Sequence, residues 1–176
     1  MKRWAGIGLA VLVALLAAGW LARGPIALAF YARGAERAMA TDSLAALPDG
    51  LHAAFCGTGS PLPDPARAGP CLAVLAGERL IIVDAGEGAA RTLALMGLPA
   101  GRIERVLLTH FHSDHVDGLG ALALQRWVQS GASQPLILQG PVGVGEVAAG
   151  FNAAYRRDAG FRTAHHGAAV APPSGF

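Results

Sequence analysis

The sequence predicts an α/β domain, layered and with an α+β opening, carried behind an apolar N-terminal segment. Three observations predict it. Two short aliphatic runs, Cys71–Ala76 and Leu80–Val83, flank the turn Gly77-Glu78-Arg79 and read as an antiparallel hairpin. Apolar runs at Ile103–Thr109 and Pro135–Gln139 then alternate with helical patterns, as in a sheet covered by helices. Finally, three histidines and an aspartate crowd into six residues at the end of the first of those runs.

The 176 residues leave room for one domain plus a short extra segment. A hydrophobic content of 53% and a mean hydropathy of +0.41 are high, and the N-terminus accounts for much of that. The net charge of +2 makes no electrostatic case for nucleic acid, so no nucleic-acid partner is expected. The fourteen basic residues include a single lysine, which together with the abundant alanine and glycine points to genome composition rather than to a binding surface.

Lys2 and Arg3 precede an uncharged run of 19 residues, Trp4–Ala22. As a helix it would span roughly 28 Å, close to the ~30 Å of a bilayer's hydrocarbon core. Trp4 and Trp20 stand near its ends, where interfacial aromatics belong. Residues 1–23 are therefore expected to be a signal anchor, inserted through residues 4–22. A cleaved signal peptide competes, with Ala27-Leu28-Ala29 as its site, but the run exceeds the usual h-region. A buried helix ranks third. Residues 24–50 read as a linker, within which the alanine-rich 26–40 stretch is a modest helix or linker, ending in the turn signals Asp42-Ser43 and Pro48-Asp49-Gly50.

From residue 51 the chain reads as the domain proper. Leu51–Cys56 is a first strand. Residues 57–70 hold four prolines and three glycines, which forbid helix or ladder and make a shaped loop. Cys56 and Cys71 flank that loop. In an oxidising compartment they would form a disulfide closing it; otherwise they are two small buried residues in adjacent strands. The first reading favours an extracytoplasmic domain, on the periplasmic face of a bacterial inner membrane. The hairpin's second strand ends in Asp84. Its carboxylate is either a turn cap or an acceptor that orients a metal-binding histidine. A helix over 87–96 stops at Gly97 and Pro99.

Ile103–Thr109 then delivers the cluster. His110 and His112, two apart at a strand end, project to the same side, and Asp114 and His115 follow in the turn. Imidazole and carboxylate are donors that zinc, iron and manganese accept. Residues 115–129 carry a helical stripe that reads as core. Pro135–Gln139 is a further strand, and a helix runs from the Gly140–Glu146 stretch to about residue 157. Pro141 and the lack of a downstream acid argue against a dinucleotide fingerprint there.

His110-Phe111-His112-Ser113-Asp114-His115, after a hydrophobic strand, resembles the signature of the metallo-β-lactamase-fold hydrolases. Gly57-Thr58-Gly59-Ser60-Pro61-Leu62-Pro63 resembles the opening of their tRNase Z and arylsulfatase-like branch, as do Asp84-Ala85-Gly86-Glu87-Gly88 and Gly140-Pro141-Val142-Gly143. The resemblance implies an αβ/βα sandwich of two similar halves, of which residues 51–176 cover little more than the first. It implies two metal ions, zinc by default with iron or manganese acceptable. His110 and His112 would hold one, and Asp114 and His115 the other. A catalytic role falls to Asp114, a supporting one to Asp84, and Gly57, Thr58, Gly59 and Ser60 form a loop beside the substrate. The family's remaining ligands, a histidine, a bridging aspartate and a last histidine, have no recognisable counterpart. Ala164-His165-His166-Gly167 resembles only the stretch before the third motif.

The function expected of a complete form is metal-dependent hydrolysis of phosphodiester or sulfate esters, with a small ester as substrate and tRNA 3′-processing as a further alternative. The competing expectation is a catalytically incomplete fragment, or a membrane-tethered half-domain that binds metal without turnover and dimerises to cover its edges. A thiol redox module is disfavoured, because Cys56 and Cys71 stand fifteen residues apart with nothing near them to activate a thiolate.

Overall fold

Five strands form one mixed sheet in the computed structural model, which describes residues 19–34, 44, 47–131 and 133–173. They are β1 (Leu51–Gly57), β2 (Cys71–Ala76), β3 (Arg79–Val83), β4 (Ile103–Leu107) and β5 (Ile137–Gln139), ordered β1-β2-β3-β4-β5. The first three run antiparallel, and β3, β4 and β5 are parallel. Parallel neighbours need a crossover, which is why helical patterns appear between the later strands. α2 (Ala89–Leu95) and a 3-10 turn (Ala100–Arg102) join β3 to β4. α3 (Ser113–Val116) and α4 (Leu119–Ser130) join β4 to β5, and α5 (Val144–His166) follows.

The strand period of two sorts the aliphatic residues by face. Cys56, Ala73, Leu75, Leu80, Ile82 and Val106 are buried together with Ala89 and Leu93 of α2 and Leu119 and Leu122 of α4. On the other face Phe55, Leu72, Val83 and Leu107 fall in register as one row. That row is only half-buried, and Phe55 at its edge is exposed. Trp127 of α4 is fully buried and its indole N–H donates to the Pro172 carbonyl at 3.0 Å. A buried indole needs such an acceptor, and this one ties the segment after α5 to α4.

The boundaries differ from expectation in several places. The helix expected over 115–129 is two helices, broken at Asp117–Gly118. β5 omits Pro135 and Leu136, because proline cannot donate to a ladder. α5 runs on past residue 157 to His166. Gly160 weakens that helix without ending it, and Arg162 Nε donates to Asp158 Oδ2 across one turn at 2.8 Å.

The chain divides into two compact units, Met1–Thr41 and Asp42–Phe176. In the first, residues 19–34 form helix α1, with the Arg23 guanidinium 4.4 Å over the Trp20 ring. Residues 4–18 of the expected anchor lie outside the described residues. Among the described residues no helix is long and apolar enough to cross a membrane. α1 does not stop at the expected boundary but continues through Arg23 to Arg33 and Gly34. The described end of the predicted apolar span, residues 19–22, thus runs without a break into charged helix.

One surface network gives a pH prediction. Arg79 makes two hydrogen bonds of 2.7 Å to Glu104, and Arg105 adds others. These partners, Arg79 first, hold the Glu104 carboxyl down at about 2, below its ordinary 4.5. Because the folded value is the lower one, the network favours folding above pH 4.5 and loses that contribution as pH falls towards 2. Glu104→Gln should therefore have a lower urea midpoint than wild type at pH 6, and the gap should close near pH 2. A gap independent of pH would contradict this. The pair is exposed, so the effect is small.

Candidate metal centre

β4 ends at Leu107, and the chain turns across the C-terminal edge of the sheet. Leu108 N–H donates to Gln139 O of β5 and Asp84 N–H to Leu107 O, both at 2.8 Å, so the two loops leave the sheet side by side. Asp84 sits at φ 59°, among the described residues the one non-glycine with positive φ. Aspartate tolerates that region better than most residues, and the turn drives its carboxylate under the 109–115 loop.

The carboxylate is buried and accepts three hydrogen bonds from the cluster. Thr109 N–H reaches Oδ1 at 2.8 Å, Thr109 Oγ1–H reaches Oδ2 at 2.9 Å, and His115 Nδ1 lies 2.8 Å from Oδ2. An ionised carboxylate only accepts, so His115 donates from Nδ1, which in the neutral ring leaves the Nε2 lone pair open.

Three loops meet here on glycine. A Cβ on Gly86 would lie 2.3 Å from Asp114 O, and one on Gly118 would lie 2.0 Å from Gly86 O. A Cβ on Gly57 would meet Gly69 O at 1.8 Å. Between these approaches run hydrogen bonds from Ala85 N to His115 O (2.9 Å), Gly118 N to Ala85 O (2.8 Å) and Gly69 N to Glu87 O (2.8 Å). The disulfide Cys56–Cys71, with its Cα atoms 4.9 Å apart, joins the two ends of the 57–70 loop.

The structure brings the four sequence-predicted donors together as two pairs. His110 Nε2 and His112 Nδ1 are 3.1 Å apart, and His115 Nε2 and Asp114 Oδ2 are 3.6 Å apart. Two nitrogens held about 2.0–2.1 Å from one tetrahedral zinc stand roughly 3.3 Å from each other. Both pairs therefore have the bite of a metal, and the donor chemistry fits zinc, iron or manganese. Among the described residues no group of three such side chains converges on one point. His110 lies between the others, its ring 4.6 Å from His112 and 4.1 Å from His115. His165 and His166 are elsewhere, edge to face with ring centroids 4.7 Å apart at the end of α5.

A cleft of about 350 Å³ opens beside Asp114, walled by Ser60, Arg67, Glu87, Ser113 and Asp117. Of the four loop residues predicted to lie near substrate, Ser60 lines it. Gly59 instead bonds Ala68 O through its N–H at 2.7 Å, and Gly57 is the crossing point with Gly69. Thr58 is exposed. Nothing in the sequence pattern marks Arg67, Glu87 and Asp117 as site residues. Each is a common surface type whose place becomes visible only once the loops are folded together.

A mixed sheet that carries paired imidazole and carboxylate donors past the end of its fourth strand defines an αβ domain whose donor pairs have metal-like spacing. The chain belongs to the metallo-beta-lactamase superfamily, whose family model matches residues 64–173. It is 43% identical over 126 residues to a ribonuclease Z of Mycobacterium avium (strain 104), covering 70% of this chain and 45% of that protein. It is 45% identical over 125 residues to a ribonuclease Z of Mycobacterium marinum, covering 70% and 45%. Human tRNase Z, short form, superposes with a TM-score of 0.53 at 32% identity, covering 59% of this chain and 39% of the human one. The chain thus spans about half the length of the curated relatives it matches.

These relatives are ribonucleases by name, and that overturns the expectation of partners that exclude nucleic acid. Net charge averaged over a whole chain was the wrong measure, because nucleic-acid contacts need a local field rather than a large total. The expected membrane-anchored, extracytoplasmic placement, with insertion through residues 4–22, is also corrected. It is overturned by the ribonuclease Z relatives, and among the described residues no helix fits a membrane span.

Proposed function

We propose that this chain provides the metal-binding half of a phosphodiester hydrolase acting on RNA, of the kind that processes the 3′ end of tRNA. The observation that carries the reading is the pair of metal-sized bites, 3.1 Å and 3.6 Å, held over one buried carboxylate. The ribonuclease relatives favour phosphodiesters over sulfate esters. His110 and His112 would hold one ion, Asp114 and His115 the second. A bound divalent metal would supply Lewis acidity and lower the pKa of water towards neutrality. Asp84 keeps the His115 lone pair open. Asp114, at the mouth of the cleft, is placed to accept a proton from the attacking water. Ser60 and Arg67 offer the cleft a hydroxyl and a cation for a phosphate.

A second reading has its own observation. Each pair supplies two donors, whereas a zinc takes four, and no third joins either pair among the described residues. On this reading the 176-residue chain binds metal weakly and turns nothing over. Zinc affinity by chelator competition, with cleavage of a precursor tRNA, separates the two. His110→Ala should weaken zinc binding by at least about 100-fold, more than loss of an outer partner does. If wild type and variant took up zinc equally, both readings would fall. Zinc uptake without cleavage would leave the second.

A further inference from the structure

The Thr109 side chain stands between Asp84 and a second histidine. Its Oγ1 lies 2.9 Å from Asp84 Oδ2 and 3.0 Å from His110 Nδ1. A hydroxyl has one proton. The carboxylate can only accept, so that proton goes to Asp84, and towards His110 the threonine oxygen can only accept. His110 Nδ1 must then be the donor. In the neutral ring this leaves Nε2 as the bare nitrogen, and Nε2 is the atom that faces His112. We infer that Thr109 is a positioning residue: it relays Asp84 to His110 and fixes that histidine in the Nδ1–H form, with its Nε2 lone pair aimed at the metal position.

A single carboxylate thereby sets two histidines, His115 directly and His110 through one hydroxyl. His112 is set differently. With His110 Nε2 bare, the 3.1 Å contact between the rings requires His112 to carry its proton on Nδ1, the nitrogen that would bind metal. His110 and His115 are therefore ready for a metal, while His112 must move its proton to Nε2 on loading. The inference rests on the proposed metal-binding role, but its first readout does not need the metal.

The backbone allows a clean test. Thr109 also donates its N–H to Asp84 Oδ1, and Thr109→Val keeps that bond and the side chain's shape while removing the hydroxyl. Thr109→Ser restores the hydroxyl. Long-range 15N–1H spectra of the metal-free full chain, recorded with the imidazoles neutral, would assign each tautomer. Wild type and Thr109→Ser should show His110 as Nδ1–H, and Thr109→Val should move it towards Nε2–H with His115 unchanged. An Nε2–H His110 in wild type, or no change in Thr109→Val, overturns the relay.

Zinc competition is the second readout. Thr109→Val should bind about tenfold more weakly than wild type, the low end for loss of an outer partner, with Thr109→Ser restoring affinity to within about twofold. Equal affinity in the valine variant overturns the relay's contribution to metal binding. If wild type took up no zinc while the tautomers followed expectation, the relay would stand and the proposed metal role would fall.

Discussion

Gly118→Ala is expected to lose about 3 kcal/mol of stability or more and to strip the protein of metal-binding competence. The added methyl would sit 2.0 Å from the Gly86 carbonyl oxygen, 2.8 Å from its carbon and 3.0 Å from the Ala85 oxygen. All three are backbone atoms, so no side chain can swing aside. Gly118 itself is at φ −86°, which alanine adopts freely, so the whole cost comes from the contact. Relief requires the 84–88 loop and the 112–118 turn to separate. That breaks the reciprocal bonds Ala85 N to His115 O and Gly118 N to Ala85 O, about 1 kcal/mol each, on top of overpacking worth about 1–3 kcal/mol. Asp84 and His115 stand on opposite sides of the same junction, so their 2.8 Å contact should part as well. Denaturant melts and zinc titration of Gly118→Ala check this. Gly131→Ala is a control for backbone conformation alone, since Gly131 has positive φ and backbone neighbours no nearer than 3.7 Å. Stability and zinc binding equal to wild type in Gly118→Ala would show that the junction is not rigid.

The parts of the site that could be read from the sequence are those whose determinants are local. His110, His112, Asp114 and His115 lie within six residues, so spacing on a strand end and a turn is enough to place their donors near one another. The hairpin and the alternation after it were legible for the same reason, because period and turn chemistry act over a few residues. What depends on loops meeting across the sheet edge was not. The glycines at 57, 69, 86 and 118 look like ordinary loop punctuation, and their close approach exists only between segments far apart in sequence. Thr109 reads as a neighbour of the motif. Its relay role needs Asp84, 25 residues away, brought beneath it by a left-handed turn. The expectation for Asp84 was open between a turn cap and an acceptor, and the geometry joins the two, since the strained turn is what aims the acceptor. The helix over 144–166 runs past the expected end near residue 157, and the Asp158–Arg162 pair there bridges Gly160.

Asp84→Asn should leave the fold nearly intact and weaken metal binding at the His115–Asp114 pair by 10–100-fold or more. Asparagine is among the residues that tolerate the φ of 59° found here, so the turn survives, as it would not with a β-branched residue. Its carbonyl oxygen can still accept the Thr109 N–H. The NH2 then occupies the place of Oδ2, 2.8 Å from His115 Nδ1 and 2.9 Å from Thr109 Oγ1. A donor facing two donors forces both partners to reverse. His115 would have to turn its proton to Nε2, putting N–H where the lone pair should meet the metal. Thr109 would accept from the amide and be free to donate to His110 Nδ1, which pushes His110 to the same wrong form. Removing the charge therefore misdirects two histidines at once, and the affinity loss should exceed that of Thr109→Val, which disturbs only one. In a triad of the Ser-His-Asp kind, the same Asp→Asn exchange costs about 10⁴ in rate through a wrong tautomer. Asp84→Ala is a less informative variant, because it adds about 1–2 kcal/mol of left-handed strain and leaves buried donors without an acceptor. The measurement is the same pair of readouts, histidine tautomers by 15N and zinc affinity by competition, with a thermal melt alongside. A melt within a few degrees of wild type, both histidines shifted to Nε2–H and zinc binding lost would match the expectation. Retained zinc affinity with an unchanged His115 tautomer would mean that the carboxylate does not govern the site.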